Sequence, residues 1–139
     1  MQIEWKDIYK TGNDPIDNQH RQWFNKVNYF LEATDKDGRF VAARKLLEYT
    51  RLHFEHEEEL MRRTNYPDAK LHTRRHVETL IHMELLVEQV ADEALVLEKW
   101  KEFLSELFRN HMGSEDLKLA AFVTCHKRAL KKGTPPGRA

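Results

Sequence analysis

The chain has 139 residues, 40% of them hydrophobic, and its 23 lysines and arginines balance its 23 aspartates and glutamates. A chain of this length is expected to form one domain around one core. The absence of net charge argues against nucleic acid as a partner, because nucleic-acid-binding domains usually present a basic face. No apolar stretch approaches the roughly 20 residues of a membrane-spanning helix, so no integral membrane segment is predicted.

Cysteine content and the first residues indicate the cellular compartment. The opening stretch MQIEWKDIYK lacks the apolar run of a secretory signal peptide. Cys125 is the only cysteine and cannot form an internal disulfide bond, which is typical of proteins in a reducing compartment. We therefore expect a cytoplasmic protein, whose metal ligands, if it binds metal, would be nitrogen and oxygen atoms and not thiolates.

Five helical segments follow from the hydrophobic periodicity and from the position of the turn residues. Glycine and proline are scarce and fall between segments, which favours long helices. Residues 1–16 are predicted to form a non-helical arm. The predicted helices are A from Asp17, a good N-cap residue, to about Thr34, B over Phe40–Arg63, C over 69–88, D over 93–111, and a shorter helix over 115–130.

The connections between these helices are short. Turns are predicted at Gly12–Pro15, at Asp35–Gly38 and at Asn65–Asp68, and a weaker break near Val90–Asp92. Residues 131–139, rich in glycine and proline, are predicted to be a disordered tail after a domain spanning 1–130. Four long helices with short connections predict an all-α, antiparallel up-down-up-down four-helix bundle, with an N-terminal arm and a short C-terminal helix.

Seven polar side chains occupy positions in the apolar stripes of these helices, where leucine or phenylalanine would be expected. They are His20, His53, Glu57, His72, His76, His111 and Asp116. Burying a carboxylate is costly unless it is paired or bound to metal, and Glu57 follows the interior phase of helix B. Its neighbours Glu55, Glu58 and Glu59 are predicted to point elsewhere.

Spacing supports a metal site. His53 and Glu57, like His72 and His76, are four residues apart and therefore share one helix face. Asp116 follows His111 by five residues, which a regular helix would turn by about 140°. We therefore expect a distorted or interrupted helix there, with Gly113 loosening the backbone.

Three further histidines, His56, His82 and His126, are expected to be structural. His56 is out of phase with the apolar stripe of helix B, and the other two lack a partner at ligand spacing.

The donor set limits the metal without naming it. Imidazoles with carboxylates suit iron, zinc, copper, nickel or manganese. Five histidines are too many for one tetrahedral zinc, whereas two ions bridged by both carboxylates account for all seven residues. One ion would then have three histidines and the other two, which leaves an open position for a small ligand. The Glu-x-x-His repeats of the common di-iron carboxylate bundles do not occur.

Four motifs in this chain resemble those of the hemerythrins, in particular the single-domain bacterial hemerythrins, over about residues 3–125. The first runs from Trp5, Tyr9 and Gly12 to Ile16-Asp17-x-Gln19-His20, followed by Phe24 and Asn28. The others are His53-Phe54-x-x-Glu57-Glu58-x-Leu60-Met61, then Tyr66-Pro67-x4-His72-x3-His76, and finally Asn110-His111-x4-Asp116. The chain departs from the family pattern at Leu107 and Met112, where tryptophan and isoleucine are usual.

The resemblance implies a non-haem di-iron centre. One iron would be held by His72, His76 and His111, and the other, with the open position for O₂, by His20 and His53. Glu57 and Asp116 would bridge both irons together with an oxide or hydroxide. The resemblance also implies an apolar lining that excludes water from the site, for which Phe24, Phe54, Leu107, Phe108 and Met112 are the candidates.

The function implied by the resemblance is reversible O₂ binding for transport, storage or delivery to an oxygen-consuming enzyme, by a monomer and without enzymatic turnover. The alternatives are a di-iron peroxidase or nitric-oxide-handling enzyme, an oxygen or redox sensor, and iron storage. Reversible release of O₂ separates carriage from the enzyme and sensor alternatives, and mineral loading far beyond two irons would indicate storage.

Overall fold

The computed structural model describes residues 3–91 and 93–131 and contains no β-strand within them. The helices are α1 (Asp14–Glu32), α2 (Lys36–Thr64), α3 (Ala69–Glu88), α4 (Glu93–Glu106) and α5 (Asp116–Lys131). A π-helix over Leu107–Glu115, called here the π segment, joins α4 to α5, and single 3₁₀ turns cover Asp7–Tyr9 and Gln89–Ala91.

The predicted all-α bundle is confirmed: α1 packs on α2, α2 on α3, and α3 on α4. The buried apolar side chains form two clusters. The larger includes Trp23, Phe30 and Trp100 and fills one end of the bundle. The smaller joins the start of α1, the end of α2 and α5 through residues such as Ile16, Met61 and Leu119. A layer of buried polar side chains lies between the two clusters along the helices.

Helix α1 begins at Asp14, three residues before the predicted start at Asp17, and ends at Glu32 instead of Thr34. Asn13 is the N-cap, and its side chain accepts a hydrogen bond from the backbone N–H of Ile16 at 3.1 Å. The carboxylate of Asp17 instead accepts hydrogen bonds from Thr11 and Gly12. Asp17 therefore fastens the N-terminal arm to α1 instead of capping the helix.

Helix α2 also begins earlier than predicted, at Lys36 instead of Phe40. The predicted turn at Asp35–Gly38 is its cap and first turn, because the Asp35 side chain accepts a hydrogen bond from the backbone N–H of Gly38. At the other end Asn65 has a left-handed conformation, with φ of 53°, and closes the helix as C-cap residues often do.

The π segment confirms the predicted distortion between His111 and Asp116. The backbone N–H of Asp116 donates to the carbonyl of His111, five residues earlier. This bond is the i→i+5 pattern of a π-helix, which widens the turn. Residues five apart are thereby brought towards the same face, and both side chains reach the bundle interior.

Two further predictions concern the C-terminal tail and membrane segments. The predicted disordered tail, 131–139, lies outside the described residues except for Lys131, which ends α5. Within the described part of the chain, no helix combines the length and hydropathy that are needed to cross a membrane.

Candidate metal centre

The seven polar residues from the apolar stripes meet in one layer of the bundle. Helix α1 contributes His20, α2 contributes His53 and Glu57, α3 contributes His72 and His76, and the π segment with the start of α5 contributes His111 and Asp116. Each is at most 4% exposed. Because the helices bury these positions, their side chains contact one another and have almost no exposure to solvent.

Three histidines surround one oxygen of Glu57. The Nε2 atoms of His76, His111 and His72 lie 2.9, 3.3 and 3.4 Å from its Oε1. His76 and His111 also bring their Nε2 atoms to within 3.2 Å of each other. These four residues offer ligand atoms that all lie within 4.8 Å of one another, so they could hold one metal ion.

The second group contains the other two histidines and both carboxylates. Nε2 of His20 lies 2.8 Å from Oδ2 of Asp116. Nε2 of His53 lies 3.4 Å from the same oxygen and 3.3 Å from Oε2 of Glu57. Their ligand atoms also lie within 4.8 Å of one another, so this group could hold a second ion.

Each carboxylate divides its two oxygens between the groups. Glu57 turns Oε1 to the three-histidine group and Oε2 to His53. Asp116 turns Oδ2 to His20 and Oδ1 to His111, at 3.0 Å, and to His72, at 3.3 Å. A carboxylate with one oxygen on each side is the arrangement that a bridge between two ions requires.

Three buried polar atoms of the cluster have no hydrogen-bond partner, and they test whether these residues fit a metal. Oε2 of Glu57, Nε2 of His72 and Oδ1 of Asp116 are buried and lack a hydrogen-bond partner. Buried polar atoms are nearly always satisfied, and these three lie near possible partners without hydrogen-bonding to them. Cations between the two groups would satisfy all three atoms, so the residues fit a two-metal centre.

Three of the imidazoles are oriented from behind by a second hydrogen bond. Nδ1 of His53 donates to the Gln19 amide oxygen at 2.6 Å, and Nδ1 of His76 donates to Glu58 at 2.8 Å. Nδ1 of His111 donates to Glu115 at 3.1 Å. A proton on Nδ1 leaves the lone pair of a neutral imidazole on Nε2, directed into the cluster, as metal-binding histidines require.

Gln19 and Glu58 belong to the motifs quoted above, but the sequence analysis gives none of the three outer partners a contact with a histidine. For Glu58 that prediction is wrong. Glu58 was expected to point away from the site, but its carboxylate contacts His76. Glu115 is buried and also forms an ion pair with Arg75. Its spacing of four residues from His111 is a signal that could have identified it, whereas nothing in the spacing relates Glu58 to His76.

The other three histidines lie outside the cluster, as predicted. His56 and His82 are exposed, and the His82 ring packs on Phe103 at 4.8 Å. His126 packs beside Phe122. None of the three belongs to the candidate metal groups in the described part of the chain.

Without metal, protons hold the cluster together. Burial disfavours the charged form of His53, but Glu57 and Asp116 outweigh it and raise the pKa of His53 to about 10. Acting against burial in the same way, the two carboxylates raise the pKa of His72 and of His111 to about 9. Burial raises the pKa of Glu57 and of Asp116, but the neighbouring histidines hold both well below the usual range. Metal would therefore displace protons on binding.

The sequence matches the family described as the hemerythrin HHE cation binding domain over residues 11–123. The chain belongs to the hemerythrin family. The match to the hemerythrin domain spans all seven residues of the cluster, so the family's cation-binding character agrees with a site built of nitrogen and oxygen ligands.

Several hemerythrin relatives are similar to this chain over most of their own length. A bacteriohemerythrin of Stenotrophomonas maltophilia is 29% identical over 134 residues, which cover 89% of this chain and 83% of the relative. A bacteriohemerythrin of Pseudomonas aeruginosa is 29% identical over 140 residues, which cover 94% of this chain and 85% of the relative. A hemerythrin-like protein of Naegleria gruberi is 25% identical over 84% of this chain and 89% of its own.

Proposed function

We propose that the protein is a non-haem di-iron protein that binds O₂ reversibly, for transport, storage or delivery. The observation that carries the proposal is the unequal division of the cluster. Three histidines, His72, His76 and His111, face one side of the two carboxylates, and two histidines, His20 and His53, face the other. The side with one ligand fewer is the side on which a small molecule can bind.

The chain's own residues would hold two irons and tune them. Glu57 and Asp116 would bridge the pair, because each has one oxygen on either side. When bound, the irons would supply the electrons that O₂ binding needs. Glu58 and Glu115 would increase the electron donation of His76 and His111, because each carboxylate accepts a hydrogen bond from Nδ1. The Nδ1 of His53 donates instead to the neutral amide oxygen of Gln19.

Apolar side chains around the cluster would exclude water and slow the oxidation of the centre. Phe54 stacks on the His76 ring with centroids 3.9 Å apart and planes 5° from parallel. Leu107 and Met112 are buried at 4% exposure each, and Phe24 at 3%. Four of the five predicted lining residues are therefore buried, and Phe108 is partly buried, which supports a site that O₂ enters more readily than water.

Iron content and reversible spectra test the proposal. Iron would be counted per chain, and absorption spectra recorded for the anaerobically reduced protein, then with O₂, then after O₂ is removed. We expect two irons and a visible band that appears with O₂ and disappears on its removal. An irreversible change would instead favour a peroxidase, a nitric-oxide-handling enzyme or a sensor, and loading far beyond two irons would indicate storage.

We also propose that residues 1–130 form one working domain, that the protein is a cytoplasmic monomer, and that an oxygen-consuming enzyme receives its O₂. The lone Cys125 supports a reducing compartment. Sedimentation of the iron-loaded protein at several concentrations tests the monomer, because a second species that grows with concentration would contradict it.

A further inference from the structure

A mainly apolar cavity lies between α1 and α4 and is lined by none of the seven residues of the cluster. We call it the α1–α4 pocket. It has a volume of about 400 Å³, and its apolar wall includes Ile3, Trp23, Phe24, Val27, Leu31 and Leu104. Small-molecule sites usually have a volume of roughly 300–1,000 Å³, an apolar lining and a few polar groups that orient the ligand. The volume and the lining of this pocket meet the first two of these conditions.

Two hydrogen bonds fasten the N-terminal arm along one side of the pocket. The side chain of Asn28, on α1, accepts a hydrogen bond from the backbone N–H of Ile3 and donates one to the carbonyl oxygen of Ile3, both at 2.7 Å. Ile3 itself lines the pocket. Because this wall is already held in place, a ligand would not have to order it on binding, and ordering is one of the main costs of association.

Three aromatic rings separate the pocket from the cluster. The ring centroids of Tyr9 and Phe108 are 4.7 Å apart, those of Phe24 and Phe108 are 5.4 Å apart, and those of Tyr9 and Phe24 are 5.8 Å apart. All three rings line the pocket, while Tyr9 and Phe108 also line a second cavity, which reaches His20. A ligand in the α1–α4 pocket would therefore contact an aromatic wall and not a metal ion.

The polar groups of the pocket favour an anionic head group. Lys6 of the arm and both Lys101 and Ser105 of α4 line it, with Glu4 as the single carboxylate among the lining residues that the structure describes. Lys101 and Ser105 are four residues apart, so the ammonium and the hydroxyl lie on one helix face.

Both lysines of the pocket are available to a ligand. Lys101 lies 3.4 Å from Glu98, but the Glu98 side chain is 76% exposed, and an exposed pair of this kind contributes little. Lys6 forms no ion pair with any residue in the described part of the chain. Two ammonium groups and a hydroxyl therefore outweigh one carboxylate at the polar edge of the pocket.

We propose that the α1–α4 pocket binds a medium-chain aliphatic monocarboxylate, with its chain between α1 and α4 and its carboxylate at Lys6, Lys101 and Ser105. Octanoate has ten non-hydrogen atoms, and at roughly the 30 Å³ of a water molecule in the liquid for each of them it needs about 300 Å³. The pocket, at about 400 Å³, can hold it. The inference goes beyond the proposed function and does not depend on it, since no lining residue is a proposed iron ligand.

Calorimetric titration of the protein as purified tests the choice of ligand. Octanoate, octanol and octylammonium present the same chain with an anionic, a neutral and a cationic head group. We expect one site per chain, which binds octanoate at least about tenfold more tightly than octylammonium, because only the anion gains charge-assisted hydrogen bonds. Hexanoate should bind about fifteenfold more weakly than octanoate, at about fourfold for each methylene. Equal affinities for octanoate and octylammonium, or no saturable binding of octanoate, would overturn the proposal.

Matched lysine variants separate the head-group site from net charge. Lys6→Gln/Lys101→Gln should weaken octanoate binding by about tenfold and leave octanol binding unchanged. Lys10→Gln/Lys99→Gln removes the same charge from the same arm and the same helix, at exposed positions that do not line the pocket, and should change neither affinity. If both double variants weaken octanoate binding equally, the carboxylate is not held by Lys6 and Lys101, and the proposed site is wrong.

A bulky substitution in the apolar wall tests where the chain of the ligand lies. Leu31 is partly buried and lines the pocket, so Leu31→Trp should weaken octanoate and octanol binding alike, by at least about tenfold. Leu52→Trp adds the same ring at a position of α2 that is 62% exposed and should leave both affinities unchanged. Unchanged octanoate affinity in a folded Leu31→Trp variant would place the ligand elsewhere and overturn the proposal.

The outcome does not depend on one variant or on the iron. If Leu31→Trp does not fold, the two lysine double variants decide the question, because they alter only exposed or half-buried positions. Absence of reversible O₂ binding would overturn the proposed function, while the titrations would still decide whether the pocket binds a carboxylate. Reversible O₂ binding without saturable octanoate binding would overturn the pocket alone.

Discussion

Single residues decide this centre because each proposed ligand contacts several others. Glu57 is 0% exposed and lies within 3.4 Å of four histidine Nε2 atoms, those of His53, His72, His76 and His111. Its removal would leave several imidazoles without their counter-charge in a dry interior, where an unpaired charge is strongly destabilising.

Glu57→Ala should lose bound metal and lower the stability of the metal-free fold by about 3–5 kcal/mol, the usual result of breaking a buried ion pair from one side. Metal analysis and urea unfolding measure the two effects. His82→Ala is the matched control, since His82 is exposed and outside the metal groups, and it should keep both metal and stability. Two irons retained in Glu57→Ala at unchanged stability would contradict the ligand assignment.

Two neighbouring glutamates of α2 allow a hydrogen bond to a proposed metal ligand to be compared with a surface charge. Glu58 accepts the His76 Nδ1 proton at 2.8 Å, whereas Glu59 forms an ion pair with Arg62 on the surface. Glu58→Ala should weaken metal binding by about 10- to 100-fold, as loss of an outer-shell partner usually does. Glu59→Ala should leave it unchanged.

Competition with a metal chelator measures these affinities, and alanine keeps the helix propensity of α2. Equal affinities in Glu58→Ala and Glu59→Ala would show that the His76 hydrogen bond has no influence on the centre.

The sequence predicts residues whose position depends on helix phase and fails where contact depends on how helices pack. Glu57 could be predicted because a carboxylate on an interior phase demands a partner. Glu58 could not, since its side chain is 30% exposed and its partner lies on another helix. The helix starts at Asp14 and Lys36 were missed for a similar reason: the competing cap candidates differ in hydrogen bonds that appear only in the folded backbone.

At the scale of an element, the π segment directs into one layer two residues that a regular helix would turn away from each other. It keeps His111 in the stripe of α4 and also directs Asp116 into the same layer, and both are buried. Gly113 lies within it, and a Cβ added there would meet the backbone carbonyl of Phe108 at 3.1 Å. Backbone atoms cannot give way as a flexible side chain does.

Gly113→Ala should therefore not gain the roughly 0.5–1 kcal/mol that replacing a helical glycine usually brings. We expect a lower melting temperature than in Ser114→Ala, which adds no atom to the same segment and serves as the control. Metal affinity should fall together with stability if the segment shifts, because His111 and Asp116 both depend on it. A gain in stability with unchanged affinity would mean that the π segment accommodates a side chain at this position.

At the scale of the whole molecule, the net charge is balanced, but charged groups of both signs are concentrated in the buried polar layer. The chain has no net charge with neutral histidines, yet it buries a layer in which imidazoles and carboxylates hold each other charged. In the metal-free protein this layer substitutes protons for metal, with the pKa of His53 raised to about 10 and those of His72 and His111 to about 9. Folding, metal binding and pH are therefore linked.

The stability of the metal-free protein should fall at alkaline pH, and metal should remove most of that decrease. The pKa of His53 is about 10 in the folded protein against an ordinary value of 6.5, so its contribution is complete below about pH 6.5 and is lost as pH rises through 10. The contributions of His72 and His111 to stability follow the same rule and are lost as pH rises through about 9, their pKa in the folded protein. The pKa values of Glu57 and Asp116 are depressed in the folded protein. Their contribution to the stability of the fold is therefore complete above their ordinary pKa values and is lost only as pH falls through the folded pKa values.

Urea midpoints measured between pH 5 and pH 10 on the metal-free and the anaerobic iron-loaded protein test this linkage. Surface charges titrate alike in both forms, so the difference between the two curves isolates the cluster. Iron-bound imidazoles carry no Nε2 proton to lose, and therefore the stabilisation by iron should increase from pH 6.5 to pH 10. Parallel curves over that range would show that the histidines of the metal-free protein are not held protonated by Glu57 and Asp116.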